Sequence, residues 1–344
     1  MLQAPVSTRQ IAESLGLSQP TVSHILSGRG RFSEKTRQRV LRAAHEMGYR
    51  PSAAARAMRS QRTGQIGVMV RNEAANPFHY LAAYEMMLAL NIELEEAGLL
   101  LTLVRLRDAR DGDAASRVFT EHLIDGLVVL EDVPSDVQEK LDGLSEQVIW
   151  VDSSRYDPTA CIQRDERRAG RLAGEAALAA GFRRLIWVGP TSEHRDAFHP
   201  ESPTHYSIAA RYEGVRSVAD EAGVAWACLG SAPDLFDGDL IRCDALRDGD
   251  AVVAYDTTKA RLVTHRANTS GRIPGRDFGL CCCDSTGEID KFWPGLDRVH
   301  CNRTEIGRAA ARMMLAALGG EPPESMRFDV QWHAGDTLRN PACS

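Results

Sequence analysis

From residue 65 onward, short runs of wholly apolar residues alternate with helix-length segments. Ile66-Gly67-Val68-Met69-Val70, residues 99–104, Gly126-Leu127-Val128-Val129-Leu130 and Val148-Ile149-Trp150-Val151 read as strands. Runs that are apolar at every position suit strands buried on both faces, the environment of a parallel sheet. Between them, residues 80–97, closed by Gly98, and residues 114–123 read as helices. The pattern then restarts, with helices at 169–180 and 208–222 and strands at 185–188, 225–229, 251–255 and 279–283. Two successive series of this kind specify two doubly wound α/β lobes, each a sheet with helices on both faces.

The first sixty residues follow another logic. Residues 1–62 hold eleven Lys or Arg against three Asp or Glu, a net of +8, while the whole chain is −6, so the remainder carries −14. A basic head on an acidic body suits binding of a phosphate backbone through the head alone. Ser7 and Gln10 form a capping-box pair, Ile11 and Leu15 share a helical face, and Gly16 permits a sharp turn. Ser18 caps a second helix, with Pro20 in the first turn, where a missing N–H costs little. Val22, Ile25 and Leu26 face inward, which leaves Gln19, Thr21, Ser23 and His24 for base edges or phosphates. Ser33 caps a third helix with an apolar stripe of Val40, Ala43, Ala44 and Met47, ended by Gly48. Arg37, Arg39 and Arg42 of that helix lie within reach of phosphates. This helix-turn-helix pattern makes double-stranded DNA the first candidate partner.

Other classes are disfavoured. No stretch is long and apolar enough to span a membrane, and the N-terminus lacks a secretory signal pattern. Eight cysteines without a CxxC pair form neither a disulfide framework nor a zinc site, and Cys281-Cys282-Cys283 read as buried strand thiols. A cytoplasmic protein is expected. There is no nucleophile motif, phosphate loop or metal signature, so no enzyme activity, cofactor or metal is expected. Gly170, Gly174 and Gly181 do not form a phosphate loop, and the segment from His194 to His205 reads as a solvated or cleft-lining loop.

Leu17-Ser18-Gln19-Pro20-Thr21-Val22-Ser23-His24-Ile25-Leu26-Ser27-Gly28, followed by Phe32 to Val40 and Tyr49-Arg50-Pro51-Ser52, resembles the head of the LacI/GalR family of bacterial transcriptional regulators. The resemblance implies DNA contacts from Ser7, Ser18, Gln19, Thr21, Ser23, His24, Ser33, Thr36 and Tyr49. It also implies a hinge helix at 51–59 that enters the minor groove through Ser52, Ala55, Arg56 and Met58. His24 stands where arginine is usual, and Met58 where leucine is the usual groove wedge. A helix this short is unstable alone in water, so the hinge is expected to fold only when paired on DNA.

Asp125-Gly126-Leu127-Val128-Val129, Ala180-Gly181-Phe182-Arg183-Arg184-Leu185 and Arg211-Tyr212-Glu213-Gly214 extend the resemblance into the core. That core is similar to periplasmic sugar-binding proteins. Tyr255 replaces a common Asn, and Cys282-Cys283-Asp284 stands where "GfDd" is common. By resemblance, Asn76, Phe78, His79, Arg211, Tyr255, Asp256 and Asp284 form an effector pocket between the lobes, suited to a sugar or polyol. Arg211 and Asp284 are assigned to ligand contact rather than to an internal ion pair.

The expected architecture is a two-lobed α/β, periplasmic-binding-protein-like core with an all-α helix-turn-helix N-terminal head. The head covers 1–50 and the hinge 51–61; one lobe covers 62–163 and 292–321, the other 164–291 and 322–344. The expected function is a ligand-responsive repressor that binds a pseudopalindromic operator as a homodimer. Residues 332–344 show no heptad repeat, so a tetramer helix is not expected. Two other readings are a sugar-binding protein or enzyme with a vestigial head and an effector-independent architectural DNA-binding protein. The intact caps and basic charge of the head argue against the first, and the long two-lobed core against the second.

Overall fold

The computed structural model describes residues 6–50, 62–71, 79–106, 121–143, 148–156, 160–191, 204–229 and 246–340. The chain divides into two units, residues 1–63 and 64–344. The proposed hinge and its Ser52, Ala55, Arg56 and Met58 lie outside the described residues, as do Asn76, Phe78 and most of the helix expected at 114–123.

The first unit has three helices, α1 (Thr8–Leu15), α2 (Gln19–Leu26) and α3 (Glu34–Glu46). Each begins on a serine whose side chain accepts a backbone N–H of the first turn: Ser7 from Gln10, Ser18 from Thr21 and Ser33 from Thr36. At α1 the capping box is complete, the Gln10 side chain accepting the Ser7 N–H at 2.8 Å. Gly16 ends α1 with φ of 63°, a left-handed conformation that turns the chain sharply into α2. Ile11, Ala12, Val22, Ile25, Val40 and Ala44 are buried together, with Leu15, Leu17, Phe32 and Tyr49 packed around them.

The second unit holds two six-stranded sheets. The first contains β1 (Gln65–Arg71), β2 (Leu100–Leu106), β3 (Gly126–Leu130), β4 (Val148–Val151), β5 (Cys161–Arg164) and β11 (Met326–Phe328), in the order β11-β5-β4-β3-β1-β2. All its pairings are parallel. The second contains β6 (Arg184–Val188), β7 (Ala225–Cys228), β8 (Ala251–Ala254), β9 (Gly279–Cys282), β10 (Asp297–His300) and β12 (Gln331–His333), in the order β12-β10-β9-β8-β6-β7. It is parallel except where β12 pairs antiparallel with β10. Strands β3, β4, β8 and β9 are buried along their whole length, as continuous apolar runs require.

The principal helices of this unit are α4 (His79–Glu96), α5 (Ser135–Asp142), α6 (Glu166–Ala179), α7 (Tyr206–Ala222), α8 (Thr257–Thr269), α9 (Gly287–Phe292) and α10 (Arg303–Leu318). Helix α6 packs on α7 with their backbones nearly touching. A Cβ at Gly170 would lie 2.2 Å from the Arg211 carbonyl oxygen, and one at Gly214 would lie 2.3 Å from that of Arg167. The glycine of the Arg211–Gly214 motif is therefore a packing requirement.

The lobe boundaries drawn from sequence need correction after residue 291. Strand β10 pairs with β9 and stays in the second sheet, so the chain returns to the first lobe only after His300. Helix α10 then lies on α4, with Gly307 against the Met86 carbonyl. Strand β11 pairs with β5 in the first sheet, so the last crossing falls between Phe328 and Gln331 rather than near residue 321. The apolar-run signal fails at both places. β10 buries a charged pair, Asp297 and Arg298, and β11 is a short, mostly exposed edge strand.

Candidate functional site

Two regions concentrate the chemistry. In the head, the start of α2 presents Ser18, Gln19, Pro20 and His24 to solvent, with Thr21 and Ser23 half-buried beside them. The Ser18 and Thr21 hydroxyls lie 2.8 Å apart, as do those of Ser33 and Thr36. Three capped N-termini carry the positive ends of helix dipoles, to which phosphates bind readily. Arg39 donates to the Leu15 carbonyl at 3.0 Å and so ties α3 to the turn, while Arg42, Arg29 and Arg31 are exposed. Tyr49 packs on the head's small core with part of its surface in solvent.

The second region lies where the two lobes meet. Asp152 follows β4 and Arg164 ends β5, while Asp284 follows β9 of the other sheet. Arg164 reaches Asp152 at 2.7 Å, Glu166 at 2.9 Å and Asp284 at 3.0 Å. Arg211, only 1% exposed, donates to both oxygens of Glu166 and also reaches Asp284 at 2.8 Å and the Tyr255 carbonyl at 3.0 Å. Arg303 donates to both oxygens of Asp284 at 2.7 Å. Three guanidiniums thus meet three carboxylates. Burial alone would raise the Asp284 carboxyl, but Arg303, Arg211 and Arg164 hold it well below the usual carboxylate range. At Asp152 burial also raises, and Arg164, His205 and Tyr206 together reverse it.

A line of neutral groups runs beside the charges. Tyr255 and Ser207 hydroxyl oxygens are 2.6 Å apart, Ser207 Oγ is 2.7 Å from His205 Nδ1, and His205 Nε2 is 2.7 Å from the Asp152 carbonyl oxygen. Because a carbonyl only accepts, Nε2 carries the proton and Nδ1 is left to accept from Ser207. Burial pushes the Tyr255 phenol up to about 12, so it remains a donor. The Arg211 guanidinium lies 4.5 Å above the Tyr255 ring.

Residues 8–52 match the model for bacterial regulatory proteins of the lacI family, and residues 175–338 match that for periplasmic binding protein-like domains. The maltose regulon regulatory protein MalI of Escherichia coli (strain K12) is 30% identical over 193 residues, 54% of each chain. The HTH-type transcriptional regulator CelR of Thermobifida fusca is 23% identical over 94% of this chain and 95% of its own. A lac repressor dimer bound to operator and an anti-inducer superposes with a TM-score of 0.78 at 18% identity, covering 98% of this chain and all of that one. The chain carries the helix-turn-helix domain of the lacI family of bacterial regulatory proteins and a periplasmic binding protein-like domain.

With that head and core, the protein is a DNA-binding transcriptional regulator. Of the cleft residues expected from its sequence, Arg211, Tyr255 and Asp284 are brought together. Arg211 and Asp284 form the internal ion pair that the sequence reading had set second to ligand contact. Arg211 is buried and Asp284 only partly exposed, so a guanidinium in that place needs the carboxylate beside it. Asp256 caps α8, accepting the Lys259 N–H at 2.9 Å. His79 begins α4, and its side chain lies outside the described residues.

Sequence reasoning missed Asp152, Arg164, Glu166, Tyr206 and Arg303. Asp152 and Arg164 carry a readable signal, since each sits at the C-terminal end of a strand, where open α/β sheets place their sites. His205, read as part of a cleft-lining loop, has both ring nitrogens engaged in hydrogen bonds. No cluster of three or more metal-ligating side chains occurs among the described residues. Nor, among them, is any helix long and apolar enough to cross a membrane.

Proposed function

We propose that this regulator is a cytoplasmic, non-enzymatic repressor that binds a pseudopalindromic operator as a homodimer and responds to an uncharged sugar or polyol. The observation that carries the ligand class is the matched charge of the cleft floor, Arg164, Arg211 and Arg303 against Asp152, Glu166 and Asp284. Such a floor favours a ligand held through hydroxyls, with the Tyr255 ring and Asp284 edge as its contacts. Relatives support this class: a CelR–cellobiose complex has a TM-score of 0.66 at 18% identity, and the ribose operon repressor of Lactococcus lactis is 20% identical over 343 residues.

In the head, Gln19, Thr21, Ser23 and His24 read bases, and the capped N-termini with the exposed arginines hold phosphates. The hinge with Ser52, Ala55, Arg56 and Met58 enters the minor groove, and Asn76, Phe78 and His79 close the first lobe's side of the pocket.

Exposed apolar side chains support a face for the dimer. Tyr84, Leu88 and Ile92 form one stripe on α4, and Leu100 and Leu103 lie on the neighbouring edge strand β2. The Glu85 carboxylate lies 3.1 Å from where a side chain on Gly287 would begin, and Phe292 at the far end of α9 is 85% exposed. A surface of this kind on a soluble body fits a second copy.

Footprinting on genomic fragments, with and without cellobiose, maltose or ribose, tests the reading. Protection of a two-fold site, changed by one of these sugars, is expected. No site-specific protection on any fragment would sink the regulator reading and favour a binding protein with a vestigial head.

A further inference from the structure

The lobes are joined by contacts that need no ligand. Tyr206, at the start of α7 in the second lobe, donates its hydroxyl to the Asp152 carboxylate of the first lobe at 2.7 Å and accepts the Arg164 backbone N–H at 2.9 Å. Its own N–H donates to Ser154 Oγ at 3.0 Å. His205 adds its Nε2–H to the Asp152 carbonyl at 2.7 Å. Two consecutive residues of one lobe, His205 and Tyr206, therefore grip Asp152 and Ser154 of the other.

The gripped residues are built for the purpose. Asp152 has φ of 56°, and Glu131, which ends the adjacent strand β3, has φ of 65°. Left-handed backbone at non-glycine residues is retained only where surrounding contacts hold it. Ser154 is fixed in turn by buried Asp132, which accepts its N–H and its side chain at 2.7 Å each.

We propose that the core latches itself closed, Tyr206 and His205 bearing on Asp152, and that an effector acts by replacing or breaking this latch. The deduction rests on the regulator reading of the cleft. The route from the pocket is on hand: Tyr255 connects through Ser207 to His205, so a ligand hydroxyl that accepts the Tyr255 O–H hydrogen bond in place of Ser207 withdraws a donor from the chain ending on Asp152. An effector then shifts the lobes only by the difference in its affinity for latched and unlatched forms.

Hydrogen exchange of the full chain without effector tests the latch. Segments 152–156 and 204–208 are expected to exchange slowly in the unaltered protein. Tyr206→Phe is expected to speed both at least about tenfold, the size of losing one hydrogen bond to a charged group. Strands β3 and β6 should keep their rates. Ser154→Ala removes the bond from the Tyr206 N–H, along with one to Asp132, and is expected to act in the same way; it serves if Tyr206→Phe does not fold. Fast exchange of both segments in the unaltered chain, or unchanged rates in the variants, overturns the latch. So does acceleration spread evenly over both sheets, which marks general destabilisation. Operator protection is measured separately, so failure of DNA binding and failure of the latch give different results.

Discussion

Arg211 holds Glu166 at two points, Nη2 standing 2.8 Å from Oε1 while Nε donates to Oε2, and the same Nη2 lies 2.8 Å from Asp284. One guanidinium thus joins the start of α6, the middle of α7 and the end of β9. Buried arrangements of this sort contribute little net stability when intact, but removing one partner strands the others.

Asp284→Asn is therefore expected to cost about 3–5 kcal/mol, because Arg303 and Arg211 keep their charge and lose its counterpart. Chemical denaturation of the variant checks the value. A loss below about 1 kcal/mol would mean that water already screens the cluster.

Stability should depend on pH in one direction. The folded-state carboxyls of Asp152 and Asp284 are held below their ordinary values, so the unfolded chain binds protons first as acid is added. Their contribution is complete above about pH 4, the unfolded aspartate value, and declines as pH falls further toward the folded values. Thermal melts from pH 7 to pH 3 should show a plateau and then a fall, shallower in Asp284→Asn.

Gly214→Ala should destabilise the core by about 1–3 kcal/mol or prevent folding, since the added methyl meets the Arg167 carbonyl. Gly319→Ala, where a Cβ has 3.2 Å to its nearest neighbour, is the matched control and should cost much less. Equal melting temperatures for the two variants would contradict the close helix crossing.

In the head, Gln19→Ala and His24→Ala should each cost about 1–3 kcal/mol on the operator and relax discrimination at one base position. Titration against operator and scrambled DNA at fixed salt reads the difference. Equal loss on both would show that these side chains serve phosphates.

Leu88→Glu places a charge in the stripe between Tyr84 and Ile92. Sedimentation at micromolar concentration should move from dimer toward monomer. An unchanged dimer would place the interface elsewhere.

The two lobes were legible because β3, β4, β8 and β9 are buried on both faces and so consist of apolar residues alone. The late crossings were not, because β10 buries Asp297 and Arg298, whose environment depends on chain folded from elsewhere. Bonds from the Gly335 and Leu338 N–H groups to Asp297 come from about forty residues away. The head was legible in detail because capping is local, each serine meeting a backbone N–H three residues on. The cleft was half legible. Asp284 and Tyr255 follow apolar strands, but the Arg164–Asp284 pair spans 120 residues of sequence, and no local pattern announces it.

Cys281, Cys282 and Cys283 are buried in the second sheet, and burial pushes all three thiols up. Exposed Cys228 should react with an alkylating reagent before the triplet, which reacts only when the second sheet comes apart. The chain thus carries its own stopwatch: alkylation followed at Cys281–Cys283 counts complete openings of the second lobe, that at Cys161 counts openings of the first, and a bound effector should be visible as a slowing of these clocks.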